Sequence, residues 1–394
     1  MSKLGIQDLD LKGKKVLIRV DFNVPLDGTR ITDDTRIRGS IPTIEHVIKN
    51  GGKVILMSHL GRPEGAVVPK YSLKPVAERL KELLGKDVIL APDCIGNEVK
   101  SIINNMKEGD VVLLENLRFH AEEEKNDPDF ARQLAELGDV YVNDAFGAVH
   151  RAHASTAGLT QYISQSAAGF LMQEEIRYIK DTIDNPERPF VAIIAGAKVS
   201  DKIGIIEHLM KKADAVIIAG AMAYTFLKAM GRQVGKSLVE DDKLDLAREI
   251  FKKSLDDRVP LYLPIDHRIA DKFSNDANIK TVVRGRIPDG WEGMDIGPST
   301  VELFKSVLSD AKTIVWNGPV GVFEFDNFAK GSIAIAKILA ESNAVTIVGG
   351  GDCVAALQKS GYTNKITHVS TGGGAALELM EGKDLPGIAA LTNT

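Results

Sequence analysis

The chain has 394 residues, 44% of them apolar and 26% charged, with a formal net charge of −5. That length leads us to expect two domains of ordinary size, and so mild a charge argues against bulk nucleic-acid or membrane binding. The two cysteines, Cys94 and Cys353, are far apart, with neither a disulfide framework nor a zinc spacing. The opening residues lack an apolar leader run, and no stretch approaches the ~18 apolar residues of a membrane span, so a cytoplasmic protein is expected.

The first half repeats one theme. Val16-Leu17-Ile18-Arg19-Val20 reads as a buried strand and ends in Asp21-Phe22-Asn23-Val24-Pro25. A helical pattern over 34–49 closes at Gly51-Gly52. Val54-Ile55-Leu56-Met57 is the next strand and leads into Ser58-His59-Leu60-Gly61-Arg62-Pro63. A helix over 73–84 and a short strand at Asp87-Val88-Ile89-Leu90 follow. Val111-Val112-Leu113-Leu114 ends in Glu115-Asn116-Leu117-Arg118-Phe119. Val140-Tyr141-Val142 ends in Asn143-Asp144-Ala145-Phe146-Gly147 and leads to His150-Arg151-Ala152-His153.

Short apolar runs alternating with helices predict a parallel sheet covered on both faces. Ligands of such sheets bind at the carboxyl ends of the strands. Arg36, His59, Arg62, Arg118 and Arg151 all fall in or just after those loops. One such arginine is usually a solvated surface group, but five cationic or potentially cationic groups sharing one topological address are harder to dismiss. Guanidinium forks match phosphate and carboxylate oxygens. Asp21 and Asn23 at the same edge would accept from ligand hydroxyls or steer the forks. The ligand inferred is small, polyanionic and hydroxylated.

A helical pattern over 172–183, ended by Asn185-Pro186, separates two sets of strands and reads as a connector, although an ordinary crossover helix would look the same. Beyond it the strands end in glycine. Val191-Ala192-Ile193-Ile194 runs into Gly196-Ala197-Lys198-Val199-Ser200-Asp201-Lys202, and Ala215-Val216-Ile217-Ile218 into Ala219-Gly220. Thr313-Ile314-Val315-Trp316 runs into Asn317-Gly318-Pro319, and Val345-Thr346-Ile347-Val348 into Gly349-Gly350-Gly351-Asp352. Leu261-Tyr262-Leu263 ends in Pro264-Ile265-Asp266, and residues 271–297 look like an excursion with short strands. The last of the series joins His368-Val369-Ser370-Thr371 to Gly372-Gly373-Gly374 and a helix former run, a bare turn at a helix N-terminus where an anion can be received. Such a triplet is more often only a tight turn.

Glycine turns at one sheet edge suit a mononucleotide. Lys198 and Lys202, four apart at the start of an expected helix, would share one face toward its phosphates. Asp352 suits Mg²⁺ at a phosphate chain, or a helix cap. Glu324 could accept from ribose hydroxyls. Gly231-Arg232-Gln233-Val234-Gly235-Lys236-Ser237 is one residue short of a P-loop and follows a helical pattern, so it is set aside. His150 and His153 lack a third metal ligand, and neither cysteine has the His and Asn partners of a thiol nucleophile. A Gly-x-Gly-x-x-Gly dinucleotide fingerprint is missing, which argues against a dehydrogenase. One polyanion edge and one nucleotide edge together imply phosphoryl transfer to a small acid. No general base stands out, as expected if the acceptor is a carboxylate, already ionised at neutral pH.

These segments, in this order and over nearly the whole chain, resemble the signatures of phosphoglycerate kinases. The resemblance implies two Rossmann-like α/β domains, each a parallel sheet covered by helices, joined by a hinge helix. A phosphoglycerate-binding domain would cover 1–171, with the tail 383–394 packing back on it. The connecting helix would be 172–187 and the nucleotide-binding domain 188–382. It implies a monomeric, hinge-bending glycolytic enzyme that moves a phosphoryl group between 1,3-bisphosphoglycerate and ADP, giving 3-phosphoglycerate and MgATP. By the same resemblance Asp21, Asn23, Arg36, His59, Arg62, Arg118 and Arg151 hold the phosphoglycerate, and Arg36, Lys198, Gly372 and Gly373 serve the transferring group. Lys202, Gly350, Gly351 and Cys353 serve the nucleotide phosphates, Glu324 the ribose, Gly293 the adenine region and Asp352 the metal. Many relatives carry Ser or Thr where this chain has Cys353, so a side-chain hydroxyl contact is not expected there.

Overall fold

The computed structural model describes residues 3–394. Two compact units divide it, one running up to Ile176 with Asp384–Thr394 added, the other Arg177–Lys383.

The first unit is built on six strands: β1 (Lys15–Arg19), β2 (Lys53–Met57), β3 (Val88–Leu90), β4 (Val111–Leu113), β5 (Val140–Asn143) and β6 (Ser166–Ala168). Their order is β3-β4-β2-β1-β5-β6, and every pair is parallel. The runs are apolar without alternation because helices cover both faces. One cluster packs Val16, Ile18, Val54, Leu56, Val111 and Val142 against Ile37, Ile44 and Val47 of helix α1 (Thr35–Lys49). The order reverses at β1, with β2 on one side and β5 on the other. Open α/β sheets leave a crevice at such a reversal.

The C-terminal residues complete this unit. Leu4 N donates to Thr392 O at 2.9 Å, Thr392 N to Ser166 O at 2.9 Å, and Gly387 N to Val149 O at 2.9 Å. Leu385 and Leu391 are buried.

The main sheet of the second unit comprises β7 (Phe190–Ile194), β8 (Ala215–Ile218), β9 (Leu261–Tyr262), β13 (Thr313–Asn317), β14 (Val345–Gly349) and β15 (His368–Val369). Its order is β9-β8-β7-β13-β14-β15, again all parallel, with the reversal between β7 and β13. Trp316 is fully buried, its indole N–H satisfied by Gly318 O at 2.7 Å. Between β9 and β13 the chain makes the excursion. It is a three-stranded antiparallel sheet of β10 (Asp266–Ala270), β11 (Ile279–Val283) and β12 (Glu292–Ile296), with Met294, Ala270, Ala277 and Phe328 as a small core. Asp266 opens this sheet and accepts from the amides of Ser299 and Thr300 at 3.0 and 2.8 Å, satisfying the start of the helix Pro298–Leu308.

The mid-chain helix is not uniform. Phe170–Glu175 is α-helical, Ile176–Asp181 is a π-helix and Thr182–Asp184 closes it. Thr182 Oγ1 donates to Arg177 O at 3.0 Å, across five residues. Apolar spacing near three to four does not separate α from π winding, so this was not legible in the sequence.

Candidate active site

In the first unit the reversal at β1 collects the loops that leave β1, β2, β4 and β5. Arg36, in the first turn of α1, donates through Nη1 to Asp21 Oδ1 at 3.2 Å and to Asn23 O at 2.9 Å. The Asn23 side chain accepts from Gly61 N at 2.9 Å, and Gly61 O accepts from Arg118 Nη1 at 3.1 Å. Arg36, Asn23, Gly61 and Arg118 therefore form one hydrogen-bonded series. Arg62, exposed, follows Gly61 directly, and Arg151 is exposed on the loop after β5. Asn116 is buried and donates to the carbonyls of Leu60 and Tyr71 at 2.7 and 2.9 Å, which fastens the β2 loop to the turn that carries Arg118.

Two residues here escaped the sequence reading. Arg19, inside β1, is 1% exposed, and Glu123 is fully buried. Arg19 Nε donates to Ser155 Oγ at 2.8 Å, and Ser155 donates in turn to Glu123 at 2.5 Å. Arg19 Nη2 lies 3.0 Å from His59 Nδ1. Arg19 is thus hydrogen-bonded on both sides, and burial raises the Glu123 pKa, opposed by the charge of Arg19 and by the Ser155 bonds. The available signal was an arginine inside an otherwise apolar run. Glu123 gave none, because Glu122-Glu123-Glu124 reads as a solvated acidic stretch.

Of the five cationic or potentially cationic groups at this edge, His59 is the one whose charge depends on its surroundings. Burial first, then the charges of Arg19, Arg118 and Arg36, holds its pKa well below the ordinary value. His153 is lowered to about 4, by burial and then by Arg118, Arg19 and Arg151. Both are neutral imidazoles at pH 7, and the positive charge of this edge belongs to its arginines.

In the second unit a cavity of about 350 Å³ lies at the β7–β13 reversal, lined among others by Lys198, Lys202, Asn317, Gly351, Asp352 and Gly373. Gly318 has φ +96°, and an added Cβ would stand 1.9 Å from Ala195 O, so only glycine lets the two loops meet backbone to backbone.

Lys198 and Lys202 do not share a helical face. The helix after β7, α2 (Ile203–Met210), begins beyond both, and they sit on the loop before it. Ser200 explains this: its N–H and hydroxyl donate to Glu240 at 3.1 and 2.5 Å and hold the chain out of helical register. Lys202 Nζ donates to Asn317 Oδ1, and Asn317 Nδ2 donates to Gly349 O at 2.8 Å. Burial lowers the Lys202 pKa, opposed by Cys353, Asp201, Asp352 and Glu381.

Helix α3 (Gly351–Ser360) is capped by Gly350, so Asp352 is not its cap. Asp352 stands exposed in the first turn, where a carboxylate also favours the helix dipole. The Cys353 thiol is buried and bonded to Trp316 O at 3.7 Å. Gly372 N donates to Ser370 Oγ at 3.2 Å, and helix α4 (Gly374–Met380) starts after Gly373. Gly293 and Glu324 lie outside the cavity lining. Gly293 is on β12, where an added Cβ would meet the Tyr224 hydroxyl at 2.0 Å, and Glu324 is exposed.

Comparison with known proteins settles the family. The family model described as phosphoglycerate kinase matches residues 6–383. The chain belongs to the phosphoglycerate kinase family. As a member it is a phosphotransferase with a carboxyl group as acceptor, working in glycolysis. A curated phosphoglycerate kinase of Rippkaea orientalis is 58% identical, with 99% of each chain covered. "Phosphoglycerate kinase 3, cytosolic" of Arabidopsis thaliana is 57% identical over 98% of this chain and 97% of its own. The solved phosphoglycerate kinase of Coxiella burnetii shares 40% identity over 98% of both chains, with a TM-score of 0.92. Two helix-covered parallel sheets are thus the architecture of phosphoglycerate kinases. Among the described residues no helix is long and apolar enough to cross a membrane.

Proposed function

We propose that the arginine edge of the first unit holds the phosphoglycerate and the glycine and lysine edge of the second holds the nucleotide. The reaction is the family's reversible phosphoryl transfer between 1,3-bisphosphoglycerate and ADP, giving 3-phosphoglycerate and ATP. One observation carries the division: Lys198, Lys202, Asp352 and the glycine turns line a single cavity at a strand-order reversal, while the arginines cluster at another. In domain terms, residues 1–171 with 383–394 bind phosphoglycerate, 172–187 connect, and 188–382 bind nucleotide.

Arg62, Arg118 and Arg151 bind the acid's phosphate, helped by the neutral donor His59. Asp21 and Asn23 accept from its hydroxyl and steer Arg36. Lys202 and the amides at Gly350, Gly351 and Cys353 bind nucleotide phosphates, Glu324 the ribose, and Gly293 lies by the base. Arg36, Lys198 and the Gly372–Gly373 amides neutralise charge on the group in flight. Such transfer is mostly positioning and electrostatics. An ionised acceptor carboxylate needs no general base. Asp352 fits Mg²⁺, which takes few carboxylates beside substrate oxygens and waters. Held by Asp352, such an ion would supply positive charge against the nucleotide's phosphates. Bending at the connector serves to exclude water. The enzyme is read as a cytoplasmic monomer with small-molecule substrates only.

Equilibrium binding tests the division. Arg118→Ala should lose 3-phosphoglycerate affinity roughly tenfold or more while keeping ADP affinity, and Lys202→Ala should do the reverse. The opposite pattern, or equal loss of both ligands in either variant, contradicts it.

A further inference from the structure

Cys94 and His120 are distant in sequence, and their spacing carries no metal signature. The fold brings them together, because β3 and β4 are neighbours and each continues into a loop at the same edge of the sheet. Cys94 lies on the loop after β3, next to Asp93, and His120 ends the turn after β4. The Cys94 sulfur, a ring nitrogen of His120 and a carboxylate oxygen of Asp93 all lie within 4.8 Å of one another.

The three are already organised. His120 Nε2 is 2.7 Å from Asp93 Oδ1, and the same oxygen accepts from Cys94 N at 2.6 Å. The His120 ring packs on Phe130, with centroids 5.3 Å apart. Cys94 is fully buried, whereas the side chains of His120 and Asp93 are 26% and 45% exposed, so an ion has a path from solvent past both.

Neither substrate edge, as assigned above, uses Asp93, Cys94 or His120.

We propose that Asp93, Cys94 and His120 form a binding site for a thiophilic divalent cation of the zinc class, with water as the fourth ligand. Thiolate, imidazole and carboxylate are the donors such an ion takes, at ~2.0–2.3 Å. Donor atoms on a tetrahedron of that size stand about 3.3–3.8 Å apart, so the Asp93–His120 contact opens slightly and the wider gaps close. The thiol proton leaves to solvent on binding, and the ion's charge replaces it. Mg²⁺ is a poor guest because hard cations take oxygen donors, which separates this site from Asp352. Occupancy would also tie the β3 loop to the turn that carries Arg118.

The test uses the full-length enzyme, stripped with a chelator and titrated with Zn²⁺ against a chromophoric competitor in excess Mg²⁺. One equivalent should bind and Mg²⁺ should not displace it. Cys94→Ala and His120→Gln should each weaken binding roughly tenfold or more. With Cd²⁺ as probe, an ultraviolet thiolate-to-metal band should appear, vanish in Cys94→Ala and survive in Cys353→Ala. Turnover in the coupled assay shows that the Cys94 variant is folded; if it is not, His120→Gln on the partly exposed side decides. No stoichiometric Zn²⁺ binding by the wild type, unchanged affinity in His120→Gln, or a band that follows Cys353 overturns the proposal.

Discussion

Arg19 donates to His59 across 3.0 Å, from Nη2 to Nδ1. A guanidinium has no acceptor, so Nδ1 must accept, and the single proton of this neutral ring is on Nε2. With the pKa held well below the ordinary histidine range, His59 is a fixed neutral donor. We expect its ring resonances to stay unchanged by NMR between pH 8 and about 5.5, where an unperturbed histidine would titrate near ~6.5. A midpoint near that value would contradict the assignment.

Arg36 is positioned by Asp21 Oδ1 at 3.2 Å and Asn23 O at 2.9 Å, and its side chain keeps 36% exposure toward a ligand. Arg36→Ala should lower turnover by roughly 10² or more through lost charge stabilisation. Near-normal steady-state turnover would remove it from the chemistry.

Gly373 has φ +52° and ψ −113°, a conformation that side-chain-bearing residues resist, and an added Cβ would meet nothing within 4 Å. The cost of Gly373→Val is therefore backbone displacement, not collision. Turnover should fall more than ADP affinity, read as kcat against an independently measured Kd. The reverse pattern would make this turn a resting phosphate cradle.

Asp144 is fully buried, accepts from Met172 N at 3.2 Å, and is pushed up to about 7, chiefly by burial. Its folded pKa lies above the unfolded one, so its contribution is whole below about pH 4 and declines as pH rises toward 7. Asp144→Asn removes that decline. The variant should gain on wild type by more than about 1 kcal/mol between pH 5 and 8, measured by denaturant unfolding. A difference that does not change with pH would contradict the raised pKa.

Strand positions were legible because fully covered parallel strands are continuous apolar runs. The arginine edge was legible because the topology gives every β-to-α loop one address. What escaped depended on contacts distant in sequence. The Ser200–Glu240 bonds keep Lys198 off a helix, and the buried Arg19–Ser155–Glu123 set spans three separate segments. The Asp93–Cys94–His120 group was hidden for the same reason, whereas the π-helical turn at Ile176–Asp181 was hidden because apolar spacing near three to four fits α and π winding alike.

Lys198 tests the central claim most directly, since it lines the nucleotide cavity and is assigned to the group in flight. The measurement is a coupled assay of ATP-dependent phosphorylation of 3-phosphoglycerate with Mg²⁺, on wild type and Lys198→Ala, beside ADP binding to each. The account predicts turnover lowered roughly 10²-fold or more with ADP affinity changed only a few-fold. Near-wild-type turnover in Lys198→Ala would contradict it.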